Sequence, residues 1–175
     1  MVRSAILVIC LLFRLAPAWA DGDSAEAFMS ATFGLSSTRT QKRMETSGAS
    51  VAAFSRAGQL TMKGTFESMP AIFVFGFGEK KGLNHKSAYI GSTGDAASDR
   101  QLYDAFRAAY NERFGTVKEI TVQHPRVKGR IAIRSNWTPD KYTMITLSYD
   151  PEVVKRFPGD SPGDYPIHLI YNYLK

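Results

Sequence analysis

The stretch from Asp99 to Gly115 constrains the fold more than any other part of the chain, because it carries a complete helix signature. Ser98 or Asp99 supplies a cap, and Leu102, Phe106, Ala109 or Tyr110, and Phe114 recur at helical spacing on one face. Arg100, Asp104, Arg107, Asn111 and Glu112 fall on the other, and Gly115 stands where a helix ends in a left-handed residue. A helix with one apolar stripe must bury it. The segments on both sides read as strands, so the expected arrangement is a helix lying on an antiparallel sheet.

The strand pattern is clearest from Gln59, where Leu60, Met62, Gly64 and Phe66 alternate with polar residues as on a half-buried strand. Glu67-Ser68-Met69-Pro70 turns the chain into Ala71 to Phe77, which is apolar on both alternating faces and reads as a central strand covered on two sides. Ile72 and Val74 share one face of it, and Phe73, Phe75 and Phe77 the other. The helix over 99–114 accounts for one face; the arm before Ser36, a second subunit or an apolar ligand would cover the other. Residues 78–82 form a hairpin turn into Leu83 to Ile90, and because that turn joins two strands rather than a strand to a helix, its glycines do not make a phosphate loop. Beyond Gly115, strands are expected over 117–122, 130–137, 142–149 and 167–174, with an irregular loop over 150–164. Ser36 caps a short helix over 37–45, whereas residues 49–57 mix small and apolar side chains without a clear period.

The first residues speak about destination. Met1-Val2-Arg3 gives a positive start, residues 5–13 an apolar run, and Ala18-Trp19-Ala20 a small-x-small cleavage site before Asp21. We therefore expect residues 1–20 to be a signal peptide, 21–35 an N-terminal arm and 36–175 a single domain, located in the periplasm or secreted. Arg14 interrupts the apolar run, which is far short of the roughly 20 residues a bilayer needs. No transmembrane segment is expected after processing. Cys10 is the only cysteine, so the mature chain has no thiol chemistry and needs no disulfide. Removing Arg3 and Arg14 lowers Lys plus Arg from 22 to 20 against 16 acids, leaving a net charge of about +4. With no run of five or more like charges, that excess reads first as a solubility feature.

Phe33-Gly34-Leu35-Ser36 opening a short helix, Met62-Lys63-Gly64-Thr65-Phe66 and Pro70 to Phe75 as a hairpin, Leu102 to Gly115 as a helix, and Trp137 with Thr143 to Tyr149 form a recognisable succession. It resembles the small secreted bacterial α+β domains of uncharacterised function, across most of residues 33–174. The resemblance implies a fold and supplies no catalytic residues.

Side chains able to do chemistry are scattered. His85, His124 and His168 lie far apart and make no close-spaced metal motif. Asp160 and Asp164 are too few for a calcium loop, and no serine lies in a Gly-x-Ser-x-Gly elbow. No cofactor, metal or catalytic residue is expected. One grouping has two readings: His124, Arg126, Lys128 and Arg130, with Pro125 and Gly129 between them, are first an ordinary solvated edge whose lysine and arginine discourage strand-to-strand aggregation, and alternatively a basic patch suited to an anionic partner such as an envelope protein or a charged surface. Nucleic acid is not expected, because no aromatic platform accompanies these cations.

These readings lead to an α+β domain of two layers, an antiparallel sheet of about five to seven strands with one or two helices packed on one face. They point to a non-enzymatic binding or interaction module of the bacterial envelope. A small periplasmic hydrolase with a site assembled from distant residues, and a structural homodimer, are the alternatives.

Overall fold

The computed structural model describes residues 24–55, 58–79, 82–123, 129–153 and 164–174. The expected leader 1–20 and the residues His124, Arg126 and Lys128 lie outside them.

Alternation along the chain produces eight strands: β1 (Ser50–Ser55), β2 (Gln59–Phe66), β3 (Met69–Gly78), β4 (Gly82–Ile90), β5 (Ile120–Gln123), β6 (Ile131–Asp140), β7 (Thr143–Tyr149) and β8 (Ile167–Tyr173). All pair antiparallel in the order β1-β2-β3-β4-β8-β7-β6-β5. The sheet thus consists of two four-strand meanders joined where β4 pairs with β8, each meander preceded by a helix. Five to seven strands and one or two helices were expected; among the described residues there are eight strands and three helices: α1 (Ala25–Ser30), α2 (Ser37–Thr46) and α3 (Ala96–Phe114). The additional strand is β1. A bulge between Val51 and Ala53 puts Val51 opposite Met62 and Phe54 opposite Leu60, so two apolar residues three apart share a face and the period of two is lost.

Register fixes which residues share a face. Leu60, Phe75, Lys86, Tyr171, Ile145 and Trp137 form one row across six strands, and Met62, Phe73, Ala88, Leu169, Leu147 and Ser135 the next. We call this the front face. The main core is built on it, joined by Phe28 of α1, Met44 of α2, and Tyr103 and Tyr110 of α3. Phe28 is fully buried among the rings of Phe66, Phe73, Phe75 and Tyr171, a burial that contributes about 2–3 kcal/mol. The arm is therefore part of the core, and it covers the phenylalanine face of β3. The other face of β3 has a different cover: Ile72 and Val74 pack with Tyr165, two residues before the start of β8, and with Tyr89.

The helices begin and turn differently from the sequence reading at two points. Ser36 caps α2 as expected, its hydroxyl accepting from Arg39 N. Helix α3 starts three residues earlier than expected: Asp95, not Ser98 or Asp99, is its cap and accepts from Ser98 N at 2.8 Å. Its stripe is also rotated. Asp99, Tyr103 and Tyr110 are the buried residues, while Leu102, Phe106 and Phe114 are partly buried against the core. The reason is chemical fit, since the tyrosine hydroxyls find partners on the sheet that plain rings at those positions could not use.

Where the arm meets the β3–β4 hairpin, Gly34 N donates to Leu83 O and Leu83 N to Leu35 O. Gly82 has φ +62°, and a Cβ there would lie 2.4 Å from Gly34 O, so glycine is required by conformation and by space.

Candidate functional site

The β5–β6–β7 corner brings together charged residues that sequence separation conceals. Pairing of Ile133 with Tyr149 places Asp150 just past the end of β7, beside β6. There Arg130 Nε lies 2.7 Å from Asp150 Oδ2, with the two side chains 17% and 5% exposed. Arg130 is thus half of a nearly buried ion pair rather than a free surface cation. Of the expected basic patch it is the member that the structure describes.

Two arginines share the back face of this corner, Arg130 just before β6 and Arg134 four residues on, with buried Ala132 between them. Among the described residues, Arg130 Nη2 and Arg134 Nε are buried nitrogens with no hydrogen-bond acceptor. A desolvated donor without an acceptor costs on the order of 1–3 kcal/mol, and more when charged. The guanidinium fork is suited to carboxylate and phosphate oxygens, so these nitrogens define what the corner could accept. Arg134 was not singled out from sequence, because in isolation it is one polar residue in an alternating strand. Asp150, sixteen residues further on, gave no signal of its role either.

Charge is uneven along the sequence. Residues 116–139 contain five basic residues, Lys118, Arg126, Lys128, Arg130 and Arg134, against one acid, Glu119, and Asp140 follows directly. At the corner itself Asp150 offsets Arg130. Glu119 is itself engaged by Arg100 Nη2 at 2.8 Å.

The back face carries a further cross-strand row in which Arg134 faces Ser148, Ser148 faces His168 and His168 faces Tyr89. A serine beside a histidine invites a hydrolase reading, but the geometry is otherwise committed. His168 Nε2 sits 2.8 Å from Tyr165 O, which requires that nitrogen to donate, and the ring packs edge-on to Tyr89. Asp150 belongs to Arg130. His85 is apart from this row, with Nδ1 2.7 Å from Asn172 Oδ1. Among the described residues, no three His, Cys, Asp or Glu side chains gather as a metal site would require, and no helix is long and apolar enough to cross a membrane.

Two interior polar clusters have structural explanations. The strand-to-helix loop over 91–95 has the glycines of an anion-binding turn, yet its donors go to the protein's own carboxylate. Fully buried Asp99 accepts from the Ser92 hydroxyl, from Thr93 N at 2.6 Å and from Thr93 Oγ1 at 2.8 Å. On the front face, buried Lys86 donates from Nζ to the carbonyl oxygens of Phe28, Met29 and Ala31, each at 2.9 Å, and lies 4.6 Å from the centre of the Tyr171 ring. All three of its protons are used, so it is no nucleophile at neutral pH. Burial, and secondly the charge of Arg43, lower its pKa to about 8. Nearby, the Tyr110 and Tyr171 hydroxyls bond to each other, and burial raises both pKa values, that of Tyr171 to about 12.

Comparison with protein-family models, with curated proteins and with solved structures finds no significant match to this chain.

Proposed function

We propose that the protein is a non-enzymatic binding module of the bacterial cell envelope that takes an anionic group of a partner at the β5–β6–β7 corner. The observation that carries this reading is the pair of buried guanidinium nitrogens, Arg130 Nη2 and Arg134 Nε, left without an acceptor among the described residues. A native fold satisfies nearly all of its buried donors, and those left open are candidates for a ligand's oxygens. The concentration of positive charge in residues 116–139 supports the same reading, because it would draw an anion toward this corner. Export is part of the proposal and rests on the leader-like residues 1–20. We also read the domain as two layers with its helices over the front face, since Phe28, Met44, Tyr103 and Tyr110 all join the cluster built on that face.

The test is binding of polyglutamate to the wild type and to an Arg130→Ser/Arg134→Ser variant, at low salt and at about 0.15 M, where the Debye length is about 8 Å. Wild-type binding should weaken with salt, and the variant should bind poorly at both while retaining a cooperative melt. Equal binding by the two folded proteins would refute the assignment of the site.

A further inference from the structure

Among the described residues the sheet ends on two strands, β1 and β5, with no further strand paired to either, and the two edges are not equivalent. An exposed edge strand offers a row of unpaired backbone donors and acceptors to any extended chain, and proteins commonly blunt such edges with a bulge. Strand β1 has one, between Val51 and Ala53. Strand β5 has none: Ile120, Thr121, Val122 and Gln123 face Arg134, Ile133, Ala132 and Ile131 in unbroken register. No proline and no charged residue interrupts it, and Ile120 is 45% exposed on the same face as Arg134.

We propose that β5 receives an extended acidic segment of a partner protein as an added ninth strand. This rests on the reading of the corner as an anion site and says how the partner engages it. An incoming strand would lie one strand spacing beyond β5, about 10 Å from β6. From there, glutamate side chains on the back face reach over Ile120 and Val122 toward the guanidinium groups of Arg134 and Arg130. Main-chain hydrogen bonds to the free edge supply affinity, and the alternate acidic side chains supply selectivity. A second copy of this chain is a poor occupant, because pairing β5 with β5 would bring the same basic side chains, Lys118 and Arg134, of two copies toward each other.

The experiment uses three probes of equal length: alternating glutamate and valine, polyglutamate, and alternating lysine and valine. Successive residues of a strand present their N–H groups to opposite sides. One of Thr121→Pro and Val122→Pro therefore removes a donor from the free edge and leaves the β5–β6 ladder intact; the melting midpoint identifies it. The alternating acidic peptide should bind at least about tenfold more tightly than polyglutamate, because valine favours the extended strand that makes the edge hydrogen bonds whereas an all-glutamate chain repels itself and is a poor strand former. The edge variant should abolish that difference and keep the polyglutamate binding. In the wild type, amides of residues 120–123 should gain protection from hydrogen exchange when the acidic strand peptide binds, a measurement independent of any variant's folding. Equal binding of the two acidic peptides with no protection in β5 overturns strand addition and leaves the anion site standing. Failure of both acidic peptides to bind better than the lysine peptide overturns the anion site and with it this inference. Dimerisation of the wild type that the edge variant dissolves also overturns it, by making a second copy the occupant.

Discussion

Lys86 and Arg43 together take up the four carbonyls that end α1: Lys86 Nζ bonds Phe28 O, Met29 O and Ala31 O, and Arg43 Nη1 bonds Ser30 O at 2.6 Å. A helix of six residues is too short to hold itself. Cations at its C-terminal end, with Phe28 in the core, are what fix it. Lys86→Met should cost about 2–4 kcal/mol at pH 7, because three buried carbonyls lose a charged donor. The pH dependence has a definite sign. Lys86 releases its proton near pH 8 in the folded protein but near 10.5 when unfolded, so between those values the unfolded chain binds more protons and this group's contribution rises with pH. Denaturant melts at intervals from pH 7 to 10 should show the wild type gaining on the methionine variant above pH 8. A constant difference would mean that the buried ammonium is not perturbed.

The rotated stripe of α3 can be tested by a pair of substitutions. Tyr103 is fully buried, stacks on Tyr149 and shares a hydrogen bond with Ser135. Tyr103→Ala should therefore cost about 3–5 kcal/mol. Phe106 is only partly buried, meeting Phe66 edge-on at 5.6 Å, so Phe106→Ala should cost about 1–3 kcal/mol. The reverse order in urea melts would restore the register that sequence periodicity suggests.

That pair also shows what sequence could convey. Strands with strict alternation, such as β2, were legible because the pleat imposes a period of two on burial. The existence of α3 was legible too, but not its phase: Asp99 reads as a cap candidate and Arg107 as a solvent residue until Ser92, Thr93, Ser135 and Val117 O are brought to them. Strand β1 was hidden by its bulge. Arg134 and Asp150 could not be read as members of a site at all, since only the β6–β7 hairpin brings their surroundings together.

The β2–β3 turn stores strain that substitution can release. Glu67 and Ser68 have φ of 51° and 65°, a type I′ arrangement in which glycine is preferred at the second position. Ser68→Gly should stabilise the protein by about 0.5–1 kcal/mol, the relief of a left-handed residue less the added freedom of the unfolded chain. A thermal melt that moves downward would show that the turn is not strained.

Processing has a direct readout. Protein recovered from the periplasm or culture medium of an expressing bacterium should have an intact mass starting at Asp21, with residues 1–20 removed. Recovery of exported protein that still begins at Met1 would dispose of the cleavage site Ala18-Trp19-Ala20.

Asp150→Asn separates the stabilising role of the Arg130 pair from its effect on binding. In the wild type the carboxylate sits 2.7 Å from Arg130 Nε and neutralises one of the two guanidinium charges at the corner. Asparagine keeps the shape and removes the charge, so the variant should lose about 2–3 kcal/mol, less than for a fully buried pair because Arg130 is 17% exposed. If Arg130 and Arg134 form the anion site, the same substitution raises the local charge by one. Polyglutamate should then bind several-fold more tightly, with a steeper dependence on salt. The two effects have opposite signs, less stability and more affinity, which general damage to the fold cannot produce. Weaker binding by a variant still folded at the assay temperature would mean that Asp150 orients Arg130 for the ligand rather than competing with it.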